Sequence, residues 1–223
     1  AQGQTLISDT SARLATAAVP VPLANPLSSD MNVLRPSLLP GLLDSLRNNL
    51  RHKNSDVALF EAGRVFLPGN GGQVQEERRV AIVLTGLRNP LFWSGAERDA
   101  KYDIFDLKGL LEEFLDQFGL RGLSYNRREN STSLFLESAG IQLGKLAIGE
   151  LGQLLPALAK EYDLRDAVLL AELNLDQLLA RRNAGNSYKT VAAFPAICRD
   201  GARVLAETVS HDQVLQVVRQ AKP

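Results

Sequence analysis

Between Pro36 and Asn54 the chain reads PSLLPGLLDSLRNNLRHKN, and Leu39, Leu42, Leu43, Leu46 and Leu50 recur at spacings of three and four. That period predicts an amphipathic helix over about 37–52, with Pro40 tolerated because it falls in the first turn. The preceding PVPLANPLSSD holds three prolines in eleven residues and predicts an extended connection. After the helix the period changes. Val57–Phe66 and Arg79–Gly86 are rich in strand-forming residues and are separated by PGNGGQ, which predicts an antiparallel hairpin.

A second helix is expected from about Asp106 to Phe118, with Leu107, Leu110, Leu111, Phe114 and Leu115 on one face and Gly119 just past its end. Residues 133–150 show short apolar runs broken by Gly140, Gly144 and Gly149, as expected of strands joined by tight turns. A short helix should start near Pro156, AVLLAELNL should form a buried strand, and DQLLARR should be helical. The polar run RRNAGNSYK suggests a boundary near 186–193, dividing a domain over 1–188 from a smaller segment over 189–223. In that segment GARVLAE is expected as a strand and DQVLQVVRQ as a helix capped by Ser210.

Composition narrows the function classes. The 223 residues carry 25 basic and 25 acidic side chains, so the chain lacks the global positive field of an autonomous nucleic-acid binder. The single cysteine, Cys198, excludes an internal disulfide and a cysteine-built zinc site, and a reducing, cytoplasmic location is the expectation. No stretch approaches the length and hydropathy of a membrane-spanning helix. With only His52 and His211, neither a histidine metal site nor a Ser-His-Asp relay is easily assembled. Glu112, Glu113 and Asp116 are expected on the solvated face of the second helix, and Trp93 as an anchored loop aromatic.

Five strings taken in order carry more information than any one of them. LANPLSSDMNVLRPSLLPGLLDSLRNN, VALFEAGRVF, YDIFDLKGLLEEFL, LAIGELGQLLPALAKEYDL and FPAICRD together resemble the C-terminal half of the β subunit of bacterial phenylalanine-tRNA ligase, across nearly the whole chain. The resemblance implies an α+β fold, the antiparallel sheet flanked by helices of a class II aminoacyl-tRNA synthetase, in a catalytic-like module whose partner α subunit carries the active site. From about Phe194 it implies the opening strand and helix of a ferredoxin-like anticodon-binding domain. Cys198 stands where the family usually has arginine.

The same resemblance makes Phe60, Glu61, Gly63 and Arg64 a vestige of the motif 2 strand, whose arginine grips the α-phosphate in active relatives. Fixed guanidinium groups are the usual means of stabilising charge that develops on a phosphoryl group. In this chain GRVF runs on into Leu67 and Pro68 where an active relative would continue into an arginine and an acidic residue. Arg64 is expected in a structural ion pair with Glu61 or another carboxylate, and GNGGQ is expected as a turn and not as a phosphate cradle. The expectations are therefore no catalytic, cofactor or metal residue in this chain, with ATP and magnesium used only by the holoenzyme. The partners implied are the α subunit and, through the holoenzyme, tRNA(Phe). Leu39, Leu42, Leu43, Leu46 and Leu50 are candidates for the α-subunit contact, should the stripe be wider than its own core requires. Arg181, Arg182 and Arg199, with Lys189 and Arg203, are candidates for RNA contact. A free-standing adenylate-forming ligase and a tRNA-binding module are the alternatives. Two arginines converging on a nucleotide-sized hollow in the sheet would overturn the reading of this module as a scaffold.

Overall fold

The computed structural model describes residues 5–15, 19–90, 95, 97–129, 131–183 and 200–221. The chain divides into two compact units, residues 1–186 and 187–223. Unit 1 is built on a six-stranded, wholly antiparallel sheet: β4 (Val57–Pro68), β5 (Val74–Thr85), β6 (Leu123–Arg127), β7 (Phe135–Leu143), β8 (Leu146–Leu154) and β9 (Leu169–Asn174). Their order is β4-β5-β9-β8-β7-β6, so the last strand inserts next to the first hairpin. A smaller sheet of three two-residue strands, β1 (Leu6–Ile7), β2 (Val21–Pro22) and β3 (Val33–Leu34), precedes it, with α1 (Asp9–Ala15) between β1 and β2.

The period of two along β5 distributes its apolar residues between two cores. Ala81 and Val83 pack with Leu39, Leu42, Leu43 and Leu46 of α2 (Leu39–Arg51), whereas Val80, Ile82 and Leu84 pack with Leu107, Leu111 and Leu115 of α3 (Ile104–Asp116). Because helices cover both faces, Val80–Thr85 and Leu169–Leu173 are buried without a break, and these stretches are apolar except for Thr85 and Glu172. Burying one leucine of either helix contributes about 2 kcal/mol.

The caps explain the helix limits. Asp103 accepts hydrogen bonds from Phe105 N and Asp106 N while the Asp106 carboxylate accepts from Asp103 N, so α3 begins two residues earlier than its apolar period suggests; it ends at Asp116, shortly before the left-handed Gly119. The four leucines from Leu39 to Leu46 are at most 3% exposed. This corrects their candidacy as a partner surface, since one helix stripe cannot face its own sheet and a second protein at once; only Leu50 is left half-buried.

Three further expectations are corrected. The hairpin extends past its apolar part, β5 starting at Val74 and not Arg79, because backbone pairing with β4 continues through the exposed residues of QVQEERR. Of the glycines in 133–150 only Gly144, with φ 63°, makes a turn; Gly140 and Gly149 lie inside strands, and a Cβ at Gly149 would collide with the Glu172 backbone carbonyl. In the second unit, described over 200–221, Gly201–Glu207 forms no strand, having no partner strand among the described residues. The helix there, α6 (His211–Gln220), is capped by Ser210, whose side chain accepts from Gln213 N. The shorter helices α4 (Pro156–Glu161) and α5 (Leu175–Ala180) fall where the sequence places them. The expected boundary, Trp93, Lys189, Phe194, Cys198 and Arg199 lie outside the described residues. No described helix is long and apolar enough to cross a membrane.

Candidate functional site

The strand expected as a vestige of motif 2 lies in β4, where Glu61, Gly63 and Arg64 each have a structural occupation. Glu61 binds Arg35, which precedes α2: Arg35 Nη1 lies 2.7 Å from Glu61 Oε1 and Arg35 Nε donates to the Arg64 carbonyl at 2.8 Å. Arg35 is only 6% exposed, and a Cβ at Gly63 would run into its guanidinium. The glycine of the FEAGR string is thus required by the close approach of a buried arginine. Arg64 points away and pairs with Glu76 on the neighbouring strand at 2.7 Å, in the open. Phe60 is exposed to solvent. Arg64 does pair with a carboxylate, but the partner is Glu76, while Glu61 is claimed by an arginine that sequence reasoning passed over. Its signal was a lone cation between Leu34 and Pro36 in an otherwise apolar segment.

Next to this hairpin the sheet does contain a hollow, of about 310 Å³, on the α2 side. Two arginines line it, Arg79 of β5 and Arg128 just beyond β6. The expectation that the cleft lacks a guanidinium pair is therefore corrected. The tertiary fold also brings in three carboxylates, Glu77 of β5, Glu150 of β8 and Glu172 of β9. Arg79 Nη1 is 2.7 Å from Glu172 Oε2 and its Nη2 is 3.1 Å from Glu77 Oε2; Arg128 Nη2 is 2.8 Å from Glu150 Oε2.

Glu172 uses both oxygens. Its Oε1 accepts from Ser37 Oγ at 2.9 Å and from Leu38 N at 2.7 Å, placing a carboxylate at the N-terminus of α2, where the helix dipole favours negative charge. Asn174 Nδ2 donates to Glu77 Oε2 at 3.1 Å, and Asn174 Oδ1 accepts from Gln177 N to cap α5. Asp176, in the first turn of α5, is taken up by Arg78 through both its backbone N–H and its guanidinium. The strand-to-helix junction β9–α5 thus carries three hydrogen-bond acceptors, Glu172, Asn174 and Asp176.

With all five charged groups ionised the hollow carries a net charge of −1. The titration behaviour follows. Burial pushes the Glu150 carboxyl up from its ordinary value and its cross-strand neighbour Glu172 adds to the rise, against the opposing pull of Arg128. Burial works to lower the Arg79 pKa, but Glu172 and Glu77 outweigh it and hold the guanidinium more firmly charged. A phosphate entering would find both cations already neutralised, and the one uncompensated carboxylate at 4 Å would oppose it by about 4 kcal/mol at an effective dielectric of 20.

Of the remaining candidates in the described part of unit 1, none lines this hollow. Arg181 and Arg182 are exposed at the end of α5, and Arg203 is exposed in the second unit. Glu112, Glu113 and Asp116 lie on the exposed side of α3, Asp116 pairing with Arg121. His52 is exposed and bonds its own helix through the Asn48 carbonyl.

A six-stranded antiparallel sheet with helices on both faces is the architecture of class II tRNA synthetases. Pyrrolysyl-tRNA synthetase PylSc of Desulfitobacterium hafniense superposes with a TM-score of 0.61 at 17% identity, over 80% of this chain and 60% of that one. Residues 5–175 match the model of the phenylalanyl tRNA synthetase beta chain CLM domain, and the chain belongs to that family. It is 37% identical over 206 residues to the phenylalanine-tRNA ligase beta subunit of Geobacillus kaustophilus and 35% identical over 201 residues to that of Bacillus subtilis. These alignments cover 92% and 89% of this chain but only 25% of each relative, so the chain spans about a quarter of the length of the curated relatives it matches.

Proposed function

We propose that this chain is a non-catalytic assembly module of a phenylalanine-tRNA ligase β subunit, which packs against the α subunit and supports charging of tRNA(Phe) at the α-subunit active site. ATP and magnesium belong to that site. The supporting observation is the charge of the sheet hollow: three carboxylates face two guanidiniums, and the most buried carboxylate also holds the start of α2. Adenylate formation needs cations free to meet a developing negative charge, whereas here they are fixed in internal ion pairs. Exposed Arg181 and Arg182 keep a place as RNA contacts within the holoenzyme.

Phenylalanine-dependent ATP–pyrophosphate exchange tests the negative half. The chain alone should show no exchange, and turnover in the absence of α subunit would overturn the proposal. Size-exclusion chromatography with purified α subunit tests the positive half: co-elution is expected when the module is present in the β subunit, and assembly unaffected by its deletion would count against it.

A further inference from the structure

Among the described residues a cluster of basic side chains lies away from the hollow, at the C-terminal end of α2. A cavity of about 460 Å³ opens there, lined by Arg47, Arg51 and Lys53 from α2 and its end and by Arg165 from the loop between α4 and β9. Leu50, Tyr162 and Leu164 supply apolar lining. Two carboxylates share the rim, Asp163 and Asp166, and Asp166 is already bonded to Lys101. Arg47 pairs with Asp44 and rests over the Tyr162 ring, 5.3 Å from its centroid. Arg51, Lys53 and Arg165 are exposed and enter no ion pair among the described residues.

Complementing the helix dipole accounts for one cation at the end of α2, but not for Arg165, which comes from another segment. The backbone adds an independent observation. Among the described residues only two non-glycine residues have positive φ, Lys53 at 67° and Asp163 at 58°, and both line this cavity. Each follows the cap of a helix, a position that glycine ordinarily fills at no steric cost. Both are the left-handed residues that end a helix, so two helix termini present their side chains at one concave rim.

We propose that this cavity binds a nucleotide through its phosphate, either a free nucleotide or one unit of an RNA strand. Arg51, Lys53 and Arg165 take phosphate oxygens, and the apolar lining of Leu50 and Leu164 takes the sugar and base. Guanidinium forks match phosphate geometry, and the cavity falls in the size range of small-ligand sites. This site is separate from the sheet hollow and does not depend on the assembly role proposed above.

Two probes separate the sources: ATP followed by calorimetry, and a fluorescein-labelled oligouridylate 12-mer followed by anisotropy, each with the 223-residue chain. Binding of either is expected. In the Lys53→Gly/Arg165→Gln double variant that affinity should fall about tenfold or more. If the oligonucleotide is the ligand, log K should fall with log salt at a slope of about −2, reduced by about 1.4 in the double variant. Lys53→Gly alone should raise the unfolding midpoint by about 2 °C, so lost binding cannot be ascribed to lost folding. The proposal is overturned by failure of both probes, by unchanged binding in the double variant, or by equal competition from inorganic phosphate or poly-glutamate.

Discussion

Glu172 offers the sharpest test of how the hollow is held together. In Glu172→Ala, Ser37 Oγ and Leu38 N lose their acceptor, at about 1–3 kcal/mol for each group left buried and unpaired. Arg79 loses its closest carboxylate but keeps Glu77, and its side chain is 22% exposed, so water recovers part of that loss. Relief of the like-charge pair Glu172 and Glu150, directly opposite in the β8–β9 register, returns up to about 1 kcal/mol. The expected net destabilisation is about 3–4 kcal/mol, in the range found when one partner of a buried pair is removed.

Glu172→Gln keeps an acceptor for Ser37 and Leu38 N but loses the charge and puts an NH2 group in place of the oxygen that accepts from Arg79, so it should cost about 1–2 kcal/mol, less than Ala. Urea unfolding measures both, with a lower midpoint and an unchanged m-value expected. In the Gln variant, NMR titration should also show the Glu150 carboxyl moving back down toward the ordinary carboxylate range, because the cross-strand negative charge is gone. Equal costs below about 0.5 kcal/mol for the two variants, or an unmoved Glu150, would refute this account of the site.

Glu150 makes a pH prediction with a definite sign. Its folded pKa is raised, so between the unfolded and folded values the native state holds more protons, and stability falls as pH rises through that window. Glu150→Gln should flatten this part of the stability–pH curve measured by thermal unfolding. Gly63→Ala should destabilise the chain by about 1–3 kcal/mol through collision with the Arg35 guanidinium, and a double-mutant cycle with Arg35→Met should show much of that cost disappearing. Leu111→Ala, emptying a fully buried site between α3 and the sheet, should cost about 2–5 kcal/mol in urea. Gly144→Ala, forcing a side chain onto φ 63°, should cost about 1 kcal/mol.

The leucine stripe of α2, the β4–β5 hairpin, the capped α6 and the buried β9 were all legible in the order of residues, because each is specified by a local period or a cap. Gly201–Glu207 shows the limit of that information: its composition suits a strand, yet a strand also needs a neighbour to pair with. The three two-residue strands and β6 were not legible for the same reason, being too short or too polar for a period of two to register.

Charge in the hollow depended wholly on tertiary structure. Glu77, Arg79, Arg128, Glu150 and Glu172 are spread over nearly a hundred residues and meet only because β9 inserts between β5 and β8. A lone glutamate in AVLLAELNL could have been noticed as one that must find a partner, but nothing local names Arg79. Residue order determines which faces are apolar and where helices start, since those are nearest-neighbour properties of the chain. Whether a cation stays free for a ligand is decided by which carboxylates the fold sets beside it, because Coulomb forces act through space and not along the sequence.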